Sequence, residues 1–209
     1  MELKNLTVTD FLNITASDAP APGGGSISAL AGALAAALGQ MVANLTVGKK
    51  KYAEVEGEMA QIAKELAPIQ QALLTAVDED SKAFDKYMAA LALPKTTDGE
   101  VAARKQAMQD GLKEAAQVPL GVAKKVLTLF PTLEKVVTRG NSNAVTDGMV
   151  GTMMARTAVL GAVYNVRVNL MSIQDQAFTA AMGDACRQCQ QEALAWEQKI
   201  LKTVEFSEF

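Results

Sequence analysis

Hydrophobic residues recur along most of the chain at intervals of three and four positions, which is the period of an α-helix. Runs of alternating β-branched and aromatic residues, which would indicate strands, are nearly absent. Pro68 and Pro131 are expected to kink or disturb the helices that contain them. The pattern predicts an all-α protein of six or seven helices, over about 9–17, 26–47, 52–93, 97–118, 119–137, from the loop at 139–143 to 169, and 175–203.

The helix predicted at 26–47 is made mostly of alanine, leucine and glycine and follows three consecutive glycines, Gly23, Gly24 and Gly25. Its small residues predict that it is the central helix of the bundle, approached closely by other backbones. The glycines indicate a sharp turn or a close approach, with Ser26 as the N-cap. Their N–H groups would then offer a site for an anion or an electron-rich ligand edge, although a plain turn leading into the helix is the alternative.

One carboxylate lies on an apolar seam. Leu73, Val77, Asp80, Phe84, Tyr87 and Leu91 are spaced three and four residues apart, so Asp80 shares their face, whereas Asp78, Glu79 and Asp85 are predicted to point elsewhere. A carboxylate in that position is costly unless it is paired or functional. Asp80 is therefore a candidate catalytic residue.

Further polar side chains occupy comparable positions. A second stripe, on the helix that ends near 169, is polar at both ends and small or apolar between them. Each polar residue could also be a satisfied buried hydrogen bond or a helix cap, and a lysine run after the central helix could simply complement its carboxyl terminus. The candidates are Asp147, Asn165 and Asn169 on the stripe, Asn141 and Asn143 in the preceding loop, Asn44 near the end of the central helix, and Lys49, Lys50 and Lys51 after it.

Composition narrows the function classes. The net charge of −3 and the lack of a basic stripe argue against nucleic acid as a partner. The uninterrupted apolar run, 27–38, is too short for a membrane span and predicts a buried helix. The amino terminus does not resemble a signal peptide, and two cysteines one helical turn apart, Cys186 and Cys189, suit a reducing compartment. We therefore expect a single cytoplasmic domain over 1–209 with neither nucleic acid nor membrane as a partner.

The chain contains no histidine. This excludes the usual Ser-His-Asp triad and argues on composition against a metal site, including one at the two cysteines. No base stands beside Ser26 in the sequence. General acid and base chemistry would fall to a desolvated carboxylate, for which Asp80 is best placed.

Seven motifs together resemble those of the cyclodeaminase/cyclohydrolase family of folate enzymes, which occurs as the carboxyl-terminal part of formiminotransferase-cyclodeaminase and as free-standing methenyltetrahydrofolate cyclohydrolases. The resemblance covers about 11–170. The motifs are PAPGGGS, MVANLTVGKKKY, DEDSKAF, ALPK, AAQVPL, GNSNAVTD and NVRVNL.

The resemblance implies a helical homodimer that hydrolyses 5,10-methenyltetrahydrofolate to 10-formyltetrahydrofolate, with the folate as substrate and no cofactor. It implies that Asp80 serves the reacting carbon and its water, and that Asp147, Asn143, Asn165 and Asn169 hold the pterin edge or that water. The glycine loop with Ser26 would contact the ligand, and the lysines would meet the glutamate tail.

Three alternatives remain at this stage. The same site could close the ring of formiminotetrahydrofolate and release ammonia, as a cyclodeaminase does, although the absence of a formiminotransferase half favours the cyclohydrolase. A non-catalytic folate-binding or assembly protein on the same scaffold is the second alternative. A helical interaction module unrelated to folate is the third.

Overall fold

The computed structural model describes residues 2–205, within which the secondary structure is entirely helical, as predicted. Short loops and two 3-10 turns connect seven α-helices, and a third 3-10 turn, Leu3–Asn5, precedes the first of them. The helices are α1 (Val8–Thr15), α2 (Gly24–Thr46), α3 (Glu56–Leu91), α4 (Asp98–Leu127), α5 (Phe130–Arg139), α6 (Val145–Leu170) and α7 (Gln176–Leu201).

Helix α2 is central, as its small residues predict, and packs mainly between α3 and α6. A Cβ added at Gly32 would stand 2.6 Å from Val126 Cγ2 of α4 and 3.3 Å from Leu73 Cδ1 of α3. The glycine therefore lets two helices approach at once. On the opposite flank α6 runs antiparallel to α2, because Gly161 lies against Ser28 and Gly148 against Val42.

Two of the three prolines in the predicted helices interrupt them less than expected. Helix α3 continues through Pro68 and α4 continues through Pro119, so the predicted boundary at 118–119 is wrong. Pro119 has no N–H for the carbonyl of Ala115, four residues earlier. The side-chain amide of Asn169 donates to that carbonyl instead, at 3.1 Å. The disturbance expected at Pro131 is confirmed, because the predicted helix over 119–137 is divided there: α4 ends at Leu127 and α5 begins at Phe130. Pro131 lies in the first turn of α5, where a missing N–H costs nothing.

The start of α2 differs from the prediction. Gly23, not Ser26, is the N-cap, and Ile27 N–H donates to Gly23 O at 3.0 Å. Gly23 is extended, with φ −103° and ψ −168°, while Gly24 and Gly25 already belong to the helix. Among the described glycines only Gly48, which follows α2, has a positive φ, of 76°. Backbone conformation therefore does not require glycine at these three positions.

By length and apolar composition, α2 is the one described helix that could cross a membrane, with a mean hydropathy of 1.6 over an 18-residue stretch. Most of that stretch is buried within the bundle. This burial is typical of the core helix of a globular protein.

Candidate active site

A cavity of about 360 Å³ lies where the amino-terminal end of α2 meets α3, α4 and α6. It brings together six of the residues that the sequence nominated: Gly23, Gly24, Gly25, Asp80, Asn165 and Asn169. Pro20 and Ala21 of the preceding loop, Ser81 and Phe84 of α3, Ala115 of α4 and Val168 of α6 complete the walls. We refer to it as the glycine pocket.

Asp80 is half-buried and stands against the first turn of α2. Its Oδ2 accepts a hydrogen bond from Ser26 Oγ at 3.0 Å. Removal from water raises the pKa of the Asp80 carboxyl, and hydrogen bonds from the Ser26 hydroxyl and backbone N–H only partly oppose that rise. The site thus holds a desolvated carboxylate at the positive end of a helix, a suitable place for proton transfer.

Ser26 links this carboxylate to the backbone of α3. Its hydroxyl lies 2.9 Å from Val77 O and 3.0 Å from Asp80 Oδ2, yet it has one proton to donate. When Asp80 is ionised the proton is best placed toward Asp80, and when Asp80 is protonated it can turn to Val77 O. Ser81, whose Oγ is 3.3 Å from Ser26 Oγ, extends this group. The sequence pattern missed Ser81, since a serine beside a seam aspartate has no distinctive signal.

Two of the glycines are required by close approach. A Cβ at Gly25 would overlap Asp80 Oδ1 and stand 2.5 Å from its Cγ. A Cβ at Gly24 would stand 2.9 Å from Asn165 Nδ2. A Cβ at Gly23 would meet nothing within 4 Å. Gly24 and Gly25 therefore let the helix terminus touch the polar groups of the pocket.

The two asparagines on α6 present acceptors to the pocket. Asn165 Nδ2 donates to Gly161 O at 2.9 Å, and Asn169 Nδ2 donates to the carbonyls of Ala115 and Asn165 at 3.1 and 2.9 Å. Both N–H groups of Asn169 Nδ2 and one of Asn165 Nδ2 donate to backbone carbonyls, and no donor within residues 2–205 pairs with either Oδ1. The Oδ1 atoms are therefore available to a ligand with N–H donors. The ring of Phe84 supplies an apolar wall.

The remaining predicted residues lie at the other end of α2. Helix α2 has 23 residues and so spans about 33 Å at 1.5 Å per residue. Asn44 is exposed near its carboxyl end, and Asp147 is in the first turn of α6, whose last turns hold Asn165 and Asn169. Asn143 is exposed. Because α2 and α6 run antiparallel, Asp147 and Asn143 lie near the carboxyl-terminal end of α2, whereas Asp80 lies at its amino-terminal end. The expectation that they share one ligand with Asp80 is therefore wrong within a single chain.

A second polar group surrounds Tyr52 at this far end. The Tyr52 hydroxyl accepts a hydrogen bond from Ser142 N–H at 2.9 Å and lies 3.0 Å from Ser142 Oγ. Lys51 Nζ lies 3.4 Å from the same Ser142 Oγ. Asn141 is buried and tied to α2, through its N–H to Thr46 Oγ1 at 2.8 Å and its Nδ2 to Leu45 O at 3.0 Å. The bonds from Ser142, with Lys51 nearby, lower the pKa of Tyr52 to about 8. We call Lys49, Lys50, Lys51, Tyr52, Asn141 and Ser142 the Lys–Tyr cluster.

Asp78 points away from the seam that carries Asp80, as predicted, but it is buried. Its Oδ1 accepts from Leu3 N–H at 2.6 Å, and Lys4 Nζ lies 3.8 Å from its Oδ2. This carboxylate fastens the amino-terminal segment to α3, which is a structural role. It faces away from the glycine pocket.

Two other features lack the chemistry of a site. A second cavity, of about 530 Å³, lies between α3 and α4 but is lined mainly by alanine, valine and charged side chains that are exposed or partly exposed. Cys186 and Cys189 are buried and free, and burial raises the pKa of both thiols, which disfavours thiolate chemistry. No group of three or more Asp, Glu or Cys side chains within 2–205 is arranged to hold a metal.

Comparison with known proteins shows the family and the fold of the chain. Residues 7–188 match the family described as formiminotransferase-cyclodeaminase. The chain is 38% identical to the methenyltetrahydrofolate cyclohydrolase of Methylorubrum extorquens, over 96% of both chains. It is 36% identical to the formimidoyltransferase-cyclodeaminase of Gallus gallus, over 93% of this chain and 36% of that protein. The crystal structure of formiminotetrahydrofolate cyclodeaminase from Thermotoga maritima superposes with a TM-score of 0.87 at 31% identity, covering all of both chains.

Proposed function

The chain belongs to the formiminotransferase-cyclodeaminase family, and we propose that it is a folate enzyme that hydrolyses 5,10-methenyltetrahydrofolate to 10-formyltetrahydrofolate. The observation that carries this proposal is the desolvated Asp80 carboxylate at the polar corner of the glycine pocket. The cyclohydrolase of Methylorubrum extorquens, similar over nearly its whole length, supports this choice of reaction.

The substrate fits the chemistry of the pocket. Its bridging carbon joins two nitrogens in an amidinium-like cation, which a nearby carboxylate stabilises more strongly in a desolvated site than in water. The pteridine ring carries N–H donors along one edge, and the Oδ1 atoms of Asn165 and Asn169 can accept them. Phe84 offers a flat apolar surface for the ring. Because the carbon is already activated by its positive charge, the reaction requires no further cofactor.

Hydrolysis then uses Asp80 twice. The carboxylate takes a proton from water as the water oxygen bonds to the bridging carbon. The resulting carboxylic acid gives that proton to the pteridine-side nitrogen as its bond to the carbon breaks. The hydroxyl proton leaves as the formyl carbonyl forms, so the cation and one water yield 10-formyltetrahydrofolate and one proton. The Ser26 hydroxyl donates to Asp80 while Asp80 is ionised and turns to Val77 O when Asp80 is protonated.

Cyclodeamination is the second candidate, favoured by the fold match to the Thermotoga maritima cyclodeaminase. In that reaction protonated Asp80 would supply the proton to the departing ammonia. Purified protein should be assayed for loss of methenyltetrahydrofolate absorbance and, in parallel, for ammonia release from formiminotetrahydrofolate. Faster turnover of the first substrate supports the proposal. Faster turnover of the second would make cyclodeamination the main reaction of the protein. Binding of folate without turnover would indicate a non-catalytic protein.

We further propose that the protein is a homodimer joined through α2 and α6. These neighbouring helices expose eight large apolar side chains, and α2 carries no charged residue. The accessible surface of the chain is 11172 Å², which exceeds the roughly 9,300 Å² expected of a compact monomer of its mass. The excess is surface that a second copy can cover. We call this surface the α2–α6 face; it comprises Ile27, Leu34, Met41 and Leu45 of α2 with Val150, Met153, Tyr164 and Val168 of α6.

A charge in the middle of this face should produce monomers. Leu34 is 45% exposed and lies near the centre of α2, so Leu34→Asp would place a carboxylate where the second copy packs. We expect light scattering to give a dimer for the wild type and a monomer for Leu34→Asp at micromolar concentration. Val101→Asp is the control, because Val101 of α4 is similarly exposed, at 49%, but lies outside the face. A monomeric wild type would contradict the proposal.

A further inference from the structure

The glycine pocket lacks a partner for the most highly charged part of the proposed substrate. A folate ends in a glutamate with two carboxylates, yet among residues 2–205 the only ionisable side chain lining the pocket is Asp80, and no lysine or arginine of that range lines it. The cavity, at about 360 Å³, is also at the small end of the roughly 300–1,000 Å³ typical of ligand sites. The tail must therefore leave through the pocket mouth, where Val168 adjoins the α2–α6 face.

The Lys–Tyr cluster has the positive charge that the glycine pocket lacks. It holds three exposed lysines on a segment that is fixed in place by the bonds among Tyr52, Ser142 and Asn141. Lys51 Nζ lies 5.2 Å from the centre of the Tyr52 ring. Such an arrangement suits carboxylate binding, but within its own subunit the cluster is about the length of α2 away from the pocket that needs it.

The α2–α6 face connects these two places. It begins at Val168 beside the pocket mouth and reaches Met41 and Leu45, just before the lysines. A dimer formed by the same face on both copies is related by a twofold axis that passes through the interface. The axis can run along α2, which places like ends together, or across α2, which places each pocket against the far end of the second copy.

Charge decides between these arrangements. An axis along α2 would bring Lys49, Lys50 and Lys51 toward the same three lysines of the second copy and would align the two α2 dipoles, both of which are unfavourable. An axis across α2 reverses the dipoles. It also brings the lysines to the end that carries Asp18 and Asp80.

Resting on the function proposed above, we propose that each active site is shared: one subunit supplies the glycine pocket and the partner subunit supplies its Lys–Tyr cluster, which binds the carboxylate tail of the folate. The site is then incomplete in a single chain. This arrangement also accounts for the predicted polar residues that a single subunit leaves far from Asp80.

A mixed dimer tests this directly. One subunit carries Asp80→Asn, and the other carries Lys49→Ala, Lys50→Ala and Lys51→Ala, with two affinity tags to isolate the mixed species. The Asp80→Asn dimer should be almost inactive, and the triple lysine dimer should lose at least about tenfold in kcat/KM, mostly through KM. In the mixed dimer one site contains both defects and the other contains neither, so kcat/KM should return to about half that of the wild type. Activity no higher than half that of the triple lysine dimer would overturn the proposal.

Crosslinking tests the arrangement without relying on turnover. Subunits carrying Val168→Cys and subunits carrying Lys50→Cys are mixed and treated with a short bismaleimide. Unlike subunits should crosslink and like subunits should not, and wild type, whose Cys186 and Cys189 are buried, is the control. Crosslinking only between two Lys50→Cys subunits, or a failure to dimerise, would overturn the shared site. Correct crosslinking in a protein that turns over neither folate would instead refute the proposed function alone.

Discussion

Replacing Asp80 by asparagine should lower kcat/KM for methenyltetrahydrofolate by at least about a hundredfold while the fold persists. The substitution keeps the shape of the side chain and its ability to accept from Ser26 Oγ. It removes both the negative charge facing the cationic carbon and the base that takes the proton from water. Loss of a positioned general base typically costs about 10²–10⁴-fold in rate. Steady-state kinetics and circular dichroism on the same preparation measure the two effects.

The same substitution should leave Tm unchanged or raise it. Because the pKa of Asp80 is raised in the folded protein, the folded state holds the proton more tightly than the unfolded state does. The stability associated with that proton is present below the ordinary aspartate pKa and is lost as the pH rises through the raised value. At neutral pH the ionised carboxylate therefore opposes folding, and a neutral amide relieves this cost.

The pH dependence gives a further check on Asp80. The ionised form is the active base, so kcat/KM should fall as the pH drops through the raised pKa, at a pH above the ordinary aspartate value of 3.8. The residual activity of Asp80→Asn should lack this acid limb. Asp85→Asn is the matched control, since Asp85 is exposed on the same helix and should behave as wild type. Near wild-type turnover by Asp80→Asn would assign Asp80 a structural role.

Helical periodicity was sufficient to find Asp80 and the central helix. Both depend on short-range spacing, which the sequence displays directly. Asp78 shows what residue spacing leaves out: spacing correctly predicts that it points away from the Asp80 seam, but not that the amino-terminal segment folds over it and donates Leu3 N–H to its carboxylate. That contact joins residues 75 positions apart, and no local pattern reports it.

Pro119 shows a similar limit at a helix boundary. A proline in a helical pattern predicts a break, because the carbonyl four residues earlier loses its donor. Here Asn169 of α6 supplies the donor to Ala115 O, so α4 continues and the amide of Asn169 is oriented in the pocket at the same time. The replacement donor lies 54 residues away, so only the tertiary structure reveals it.

The grouping of the candidate residues also required the fold. Spacing placed Asp147 and Asn165 on one stripe of α6, which is correct, but the two ends of a stripe on a long helix cannot contact one small ligand. The sequence thus identified polar positions without showing which of them share a site. The antiparallel packing of α2 and α6 divides them into the glycine pocket and the Lys–Tyr cluster.

Gly25→Ala should lower kcat/KM by about a hundredfold, with most of the loss in kcat. Gly25 is buried in the first turn of α2, and its new methyl group would overlap Asp80 Oδ1. The Asp80 carboxylate must move and give up its bond from Ser26 Oγ, and a displacement of about 1 Å at a reacting group can cost about 10²-fold. Alanine is a better helix former than glycine, so part of the packing cost is offset and the change in Tm should be small.

Gly23→Ala is the matched control, because a Cβ there meets nothing within 4 Å and the extended backbone of Gly23 accepts alanine. Gly24→Ala should fall between the two: its Cβ would stand 2.9 Å from Asn165 Nδ2, so the amide must yield and KM should rise more than kcat falls. Kinetics and thermal melts on all three variants separate the roles of the three glycines. Equal kcat/KM for Gly23→Ala and Gly25→Ala would show that the close approach to Asp80 does not serve catalysis. A large fall in Tm with unchanged kinetics for Gly25→Ala would show that the glycine is needed only for packing of the bundle.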